Sequence, residues 1–224
     1  MIVEAFDLYF TFTLLLCNNE SVKVNDGMTK YELLDELVRK GNGYLCTSDV
    51  LKHGVSKPTL AEFVRRRKME RAAQGIYYSG EYWQDDLFLL RLSNRRIVFS
   101  HETALAIHGL TEREPFHVSV TVKKGYNATH LRKQGVHVYQ AKEEYADIGI
   151  TEGKTFFGNT VPVYDRERTI CDILRYKDSM DVQVFLYAVK EYMASNEKDL
   201  IKLMKYAELF KIEPLVRMYT EVLL

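Results

Sequence analysis

An excess of charge of either sign is what this sequence most plainly lacks. Its 31 lysines and arginines are matched by 31 aspartates and glutamates, for a formal net charge of zero. That balance excludes a chain that coats nucleic acid over its whole surface, but not a local basic patch, because electrostatic steering depends on where charge sits. Cysteine is scarce too. Cys17, Cys46 and Cys171 are odd in number and widely spaced, and no CxxC occurs. A disulfide framework is therefore not expected, and reduced thiols in a cytoplasmic setting are the simplest account. Long apolar runs are missing as well. The stretch "FDLYFTFTLLLC" (Phe6 to Cys17) is shorter than the roughly 20 residues that cross a bilayer. Glu4 and Asp7 stand where a secretory signal would carry basic residues, and no lysine or arginine precedes Lys23, so no membrane partner is expected. Residues 1–27 are expected to be an extension outside the functional fold or the product of an upstream start codon, because Met28 opens a natural domain start, "MTKYELLDELVRKG".

What is present is a core-forming composition. Hydrophobic residues make up 46% and aromatics 12% of the 224 residues, which supports a packed interior and argues against disorder. In "KYELLDELVRKG", Leu33, Leu34, Leu37 and Val38 recur at helical spacing before Gly41. "TSDVLKHG" offers Thr47 or Ser48 as N-cap of a short helix ended by Gly54. "VSKPTLAEFVRRRK" offers Ser56 as N-cap and Pro58 in the first turn of a third helix, and "MERAAQGIYY" reads as two short strands around a turn at Gly75. Helix, helix, helix and hairpin within about fifty residues predict a winged helix-turn-helix over 28–80.

The run of arginines belongs to that third helix. Leu60, Phe63 and Val64 share an apolar face, and Pro58, Thr59, Glu62, Arg65 and Arg66 share the opposite one, which a recognition helix presents to the major groove. Between Lys52 and Arg71 seven basic residues face two acidic ones, a local balance of +5 in a neutral chain. Expected DNA contacts are Ser56, Lys57 and Thr59 at the helix start, Glu62, Arg65 and Arg66 along its face, and Arg71 and Gln74 on the wing. Arg65 and Arg66 suit phosphates or a bidentate guanine contact; Glu62 suits cytosine or an i,i+4 pair with Arg66. Arg67 points nearer the core side and marks the helix end. About four to six phosphate contacts imply a log–log salt slope of roughly −4 to −5.

"SGEYWQDD" (Ser79 to Asp86) reads as a linker into a second domain over 81–224. There "RRIVF", "HVSVTV" (117–122), "GVHVYQ" (135–140) and "TVPVY" (160–164) read as strands, Ser100 caps the helix "HETALAIHG", and four helical segments follow Asp165. The fold class is therefore α+β: an N-terminal winged helix-turn-helix, then a mixed α/β domain with a helical C-terminal third.

From Met28 to Leu224 the chain resembles the AbiEi family of antitoxins from bacterial abortive-infection toxin–antitoxin systems. The resemblance rests on "GYLCTSDVLKHGVSKPTLAEFVRRRKMERAAQGIYY", "VFSHETALAIHGLT", "SVTVKKGYN", "FFGNTVPVYDRERTICDIL" and "VRMYTEVLL". It implies a two-part role, in which the winged helix represses its own operon at promoter inverted repeats and the C-terminal domain counteracts a nucleotidyltransferase-like toxin, usually in the type IV manner that needs no stable complex, with direct binding to the toxin and modification of it left open. Two departures from the family concern the wing: Arg67 stands where a Gly often follows the recognition helix, and Gln74 where a basic residue is common.

Other clusters have plainer readings. Asp165, Glu167 and Asp172 in "DRERTICD" suggest a metal-dependent nuclease, but Asp165 suits an N-cap, Glu167 the helix dipole, and Arg168 with Asp172 an i,i+4 pair. His101 and His108 share a helix face without a third metal ligand. No enzyme activity, metal or cofactor is expected. Lys123, Lys124, Arg132 and Lys133 form a second basic stretch, either a solvated loop or a further DNA- or toxin-facing surface. Two rival classes stay open: a winged-helix regulator whose second domain senses a ligand, and an enzyme, nuclease or toxin-modifying transferase, in that domain.

Overall fold

The computed structural model describes residues 28–223, so the expectations for residues 1–27, Cys17 included, lie outside the described residues. The fold is α+β, with eleven α-helices, eight strands and two sheets among the described residues. The chain divides into two compact units, one of 28–95 with Phe157–Thr160, the other of Arg96–Phe156 with 161–223.

In the first unit, helix α1 (Lys30–Lys40) opens with a capping box. Thr29 Oγ1 accepts from the Glu32 amide at 3.3 Å, and Glu32 Oε2 accepts from the Thr29 amide at 2.7 Å. Two orphan amides are thus satisfied at once. Strand β1 (Tyr44–Cys46), helix α2 (Thr47–Lys52), helix α3 (Lys57–Arg66) and strands β2 (Glu70–Ala73) and β3 (Ile76–Tyr78) follow. The sheet order is β1-β3-β2, antiparallel throughout, with Tyr44 and Glu70 both registered on Tyr78. Leu34, Leu45, Val50, Val55, Leu60 and Phe63 form the core between helices and sheet.

Two expectations are corrected here. Neither Thr47 nor Ser48 caps α2; Cys46 holds the N-cap position, and no side-chain hydrogen bond caps the helix. The Thr47 amide instead donates to the Gly75 carbonyl at 2.8 Å, so the hairpin turn does the cap's work. The segment read as a linker does not end the first unit near residue 80. Helix α4 (Asp86–Ser93) lays Phe88, Leu89 and Leu92 against Tyr44, Cys46, Ile76 and Tyr78. Its cap, Asp85, is buried: one carboxylate oxygen accepts from the Phe88 amide at 3.0 Å, the other from Asn159 Nδ2 at 2.7 Å. Asn42 Nδ2 in turn donates to Asn159 Oδ1 at 2.7 Å, so this polar chain ties the 157–160 segment into the unit.

The second unit is built on a five-stranded mixed sheet, ordered β6 (His137–Ala141), β5 (Ser119–Lys123), β4 (Val98–Phe99), β8 (Thr160–Tyr164) and β7 (Ile150–Lys154). β4 runs antiparallel to β5 and parallel to β8; β5 and β6 are parallel. Parallel neighbours require a crossover, which the short helix α6 (Thr129–Lys133) supplies. Helix α5 (His101–Ile107) lies between β4 and β5 in sequence, and the one-turn helix α7 (Glu143–Ala146) follows β6. Helices α8 (Arg166–Arg175), α9 (Val182–Ala194), α10 (Leu200–Leu209) and α11 (Glu213–Leu223) complete the helical third. Ile170, Ile173, Leu174, Phe185, Tyr192 and Leu203 pack together in one cluster.

Phe63 has no exposed surface and joins α3 to the first core. Phe63→Ala is expected to lower stability by about 3–5 kcal/mol, read as a shift in the urea midpoint of the first unit.

Candidate nucleic-acid interface

Helix α3 begins where the sequence places it. Ser56 is the N-cap, its Oγ accepting from the Thr59 amide at 3.4 Å and lying 2.8 Å from Thr59 Oγ1. Leu60 and Phe63 are buried, which turns Lys57, Glu62, Arg65 and Arg66 outward; all four are exposed, and Thr59 is half-buried. Arg71 and Gln74 are exposed on the β2–β3 hairpin, and Arg71 Nε donates to the Ala73 carbonyl at 3.4 Å.

The cations in this stretch have different fates. Lys52 pairs with Asp49 at 3.1 Å. Arg67, the C-cap of α3, folds back to an ion pair with Asp35 of α1, and its guanidinium lies 5.8 Å from the Phe63 ring centre. Lys68 follows with a left-handed φ of 51°, which turns the chain into the hairpin. Lys57, Arg65, Arg66 and Arg71 have no acidic partner among the described residues, and Glu62 does not pair with Arg66. Arg66 rests 5.3 Å from the Tyr31 ring centre, a cation–π contact that holds the guanidinium without neutralising it.

The second basic stretch is divided by the fold. Lys123, at the end of β5, is neutralised by Asp147 at 2.8 Å and Glu143 at 4.0 Å. Lys124 is exposed on the following turn, and Arg132 and Lys133 are exposed on α6.

The carboxylates of "DRERTICD" are engaged in holding the helices. Asp165 caps α8 through the Arg168 amide at 2.8 Å and also binds Tyr206 Oη at 3.0 Å and Lys202 Nζ at 2.9 Å. Glu167 Oε1 accepts from Tyr192 Oη at 3.1 Å and the Asp199 amide at 3.3 Å. Asp172 and Arg168 form an ion pair at 2.9 Å. Both side chains are almost wholly buried, which the sequence did not foretell. Burial pushes the Asp172 carboxyl up, and Arg168 and Arg175 oppose that shift. Among the described residues no group of three or more His, Cys, Asp or Glu is placed to hold a metal ion.

The two helix-face histidines are held separately. His108 Nε2–H donates to the Tyr164 carbonyl at 2.6 Å, and burial lowers its pKa. His101 is 2% exposed, sits at a left-handed φ of 49°, and stacks on Tyr139 with ring centres 3.4 Å apart. Burial, and then the Arg168 and Arg175 charges, lower its pKa to about 3. Nothing in "FSHET" signals that backbone conformation.

Residues and geometry define an α+β protein with an exposed cationic helix in one unit and a buried ionic cluster in the other. No family model matches the chain, and no curated protein matches it. Among solved structures it is similar to the crystal structure of the RV2827C protein from Mycobacterium tuberculosis, with 14% identity, a TM-score of 0.51, and coverage of 80% of this chain and 72% of that one. The likeness is one of fold. No helix among the described residues is long and apolar enough to cross a membrane.

Two predictions follow from the buried groups. Asp172→Asn leaves the Arg168 charge uncompensated and is expected to cost about 3 kcal/mol in chemical denaturation. The folded pKa of His101 lies below the ordinary 6.5, so the unfolded chain takes up a proton that the native chain refuses as pH falls from 6.5 toward 3. The His101 contribution is thus intact above pH 6.5 and is lost below it, at up to about 1.4 kcal/mol per pH unit. His101→Asn should flatten that part of the stability–pH curve, and the wild-type imidazole should stay neutral by NMR at pH 5.

Proposed function

We propose that the first unit is a winged helix-turn-helix that binds double-stranded DNA with α3 in the major groove and the β2–β3 hairpin as the wing. The observation that carries this reading is the exposed face of α3, where Lys57, Arg65 and Arg66 stand without acidic partners among the described residues over a face buried through Leu60 and Phe63. Unpaired cations retain their charge for phosphates and guanine edges, and a rigid underside fixes their register. The order helix, strand, helix, helix, strand, strand around a three-stranded antiparallel sheet also supports it. Ser56, Lys57 and Thr59 serve the helix start, Glu62, Arg65 and Arg66 the groove, and Arg71 and Gln74 the wing. Arg67, paired with Asp35, is left out of this contact set.

The resemblance to the AbiEi antitoxins extends this to autorepression at promoter inverted repeats, with the second unit counteracting a nucleotidyltransferase-like toxin. The second unit then works as a non-enzymatic partner, consistent with carboxylates that cap and pair.

In a gel shift with the promoter of its own operon, Arg65→Ala with Arg66→Ala should abolish retention, and the wild-type log–log salt slope should be roughly −4 to −5. The same double variant should still rescue growth from the co-expressed toxin. Promoter retention that survives the double change defeats the assignment of α3. Failure of the wild-type chain to rescue growth defeats the antitoxin role alone.

A further inference from the structure

A cavity of about 450 Å³ opens in the second unit. That is within the range of small-molecule sites, about 300–1,000 Å³. Its wall carries five cationic side chains, Lys124, Lys142, Arg168, Arg175 and Lys211, against one carboxylate, Asp172. The carboxylate is already spent, since Arg168 and Arg175 bind its two oxygens at 2.9 and 3.5 Å. Lys124 and Lys211 have no acidic partner among the described residues. Arg168 is fixed before any ligand arrives. Its Nη1 donates to the Tyr145 and Ile148 carbonyls at 2.9 and 3.2 Å, and its guanidinium lies between the Tyr164 and Phe210 rings, 4.5 and 4.2 Å from their centres.

His101 supplies an independent sign of an occupant. It lines the cavity, is 98% buried, and its Nε2 has no hydrogen-bond partner. Its Nδ1 is 3.1 Å from Ser100 Oγ, which accepts from Thr121 Oγ1 at 2.8 Å. With the Ser100 hydroxyl donating its proton to Nδ1, the imidazole proton sits on Nε2 as an unanswered donor. Leaving a buried donor unpaired is costly, and an acceptor oxygen on a ligand answers it. The Tyr139 stack and the left-handed backbone hold the ring in place.

We propose that this cavity binds a small phosphate-bearing ligand with more than one negative charge, through Arg168, Arg175, Lys124 and Lys211, with His101 Nε2–H donating to one of its oxygens. Fixed donors and concentrated positive charge suit phosphate oxygens, which accept several charge-assisted hydrogen bonds at once. The aromatic wall at Tyr139 and Tyr176 leaves room for an organic group on that phosphate. The proposal does not depend on DNA binding by the first unit.

The test is isothermal titration of the full chain with inorganic pyrophosphate and, separately, with adenosine diphosphate, at low salt without divalent cations. Saturable binding at one site is expected. Lys211→Gln, at an exposed position that should fold normally, should weaken it at least tenfold; Arg175→Gln, which also frees an oxygen of the buried Asp172, should weaken it as well, with folding checked by its urea midpoint; Arg132→Gln, outside the cavity, should leave it unchanged. His101→Asn keeps a residue that tolerates positive φ and should also weaken binding, and the wild-type His101 imidazole resonance should shift on saturation. Tighter binding of the diphosphate ester than of pyrophosphate identifies an organic phosphate; equal binding identifies recognition of the phosphates alone. Absence of binding by both probes up to about 5 mM, beyond weak specific affinities, overturns the proposal. So does binding that is indifferent to Arg175→Gln and Lys211→Gln. Duplex DNA retained through Lys124 and Lys211 while neither small anion binds also overturns it, and assigns the surface to a nucleic-acid backbone.

Discussion

The second unit depends on how one buried guanidinium is satisfied. Removing an arginine from water costs several kcal/mol, and the fold offsets this for Arg168 from every side. Asp172 takes Nε, two carbonyls from the 145–148 turn take Nη1, and two aromatic rings cover the faces. Each of these partners comes from a different place in the chain, so the guanidinium specifies how β8, the 145–148 turn, α8 and the end of α10 meet. Gly149 shows how tight the arrangement is. Its φ is 79°, and a Cβ there would stand 2.8 Å from Arg168 Cβ. A side chain at that position would meet the arginine stem and demand a conformation that non-glycine residues rarely adopt. The same charge reaches His101, where it adds to burial in keeping the imidazole neutral.

The first unit uses its cations in the opposite way. Its interior is apolar, and its charges are kept at the surface. Three consecutive arginines on α3 meet different ends because successive side chains on a helix are set about 100° apart. Arg65 and Arg66 point outward. Arg67, one step on at the helix end, reaches Asp35 of α1 across the surface, above the apolar contacts of Leu34 and Leu37 with Leu60 and Phe63 that pack the two helices. A run that looks uniform in the sequence therefore divides into two cations unpaired among the described residues and one that is ion-paired at the surface.

The first unit was largely legible in the sequence because its signals are local. The Ser56 cap, the Leu60–Phe63 face and the Gly75 turn each act within a few residues, and α1, α3, β2 and β3 stand where those signals put them. The four C-terminal helices were legible for the same reason. What escaped is what depends on distant partners. Cys46 starts α2 because a carbonyl from Gly75 satisfies the first turn. Helix α4 was hidden behind a polar stretch whose one decisive residue, Asp85, is buried only because Tyr44 and Asn159 reach it. Strand β7 carries "ITEGK", which alternates poorly, and it pairs at a sheet edge that no local pattern announces. Arg168 and Asp172 were read correctly as an i,i+4 pair, but spacing alone does not tell an exposed pair from one sealed inside the molecule.

The two cationic surfaces thus differ in what they can recognise. Exposed arginines and lysines on α3 act over a distance set by the Debye length, about 8 Å at physiological salt, and their attraction falls as salt rises. In the proposed role they meet a long polyanion, duplex DNA, which offers many phosphates and releases counterions. The arginine behind the second unit's cavity is already desolvated and already oriented, so a ligand that meets it does not bear that cost again. Screening reaches the buried Arg168 weakly, whereas Lys124, Arg175 and Lys211 at the same cavity are exposed and stay open to it. The two proposals therefore differ in degree of salt response: DNA retained on the α3 face, as proposed, should be lost steeply with ionic strength because many phosphates release counterions, whereas affinity in the cavity should fall less steeply, through its exposed Lys124, Arg175 and Lys211, because the Arg168 charge was taken out of water when the chain folded.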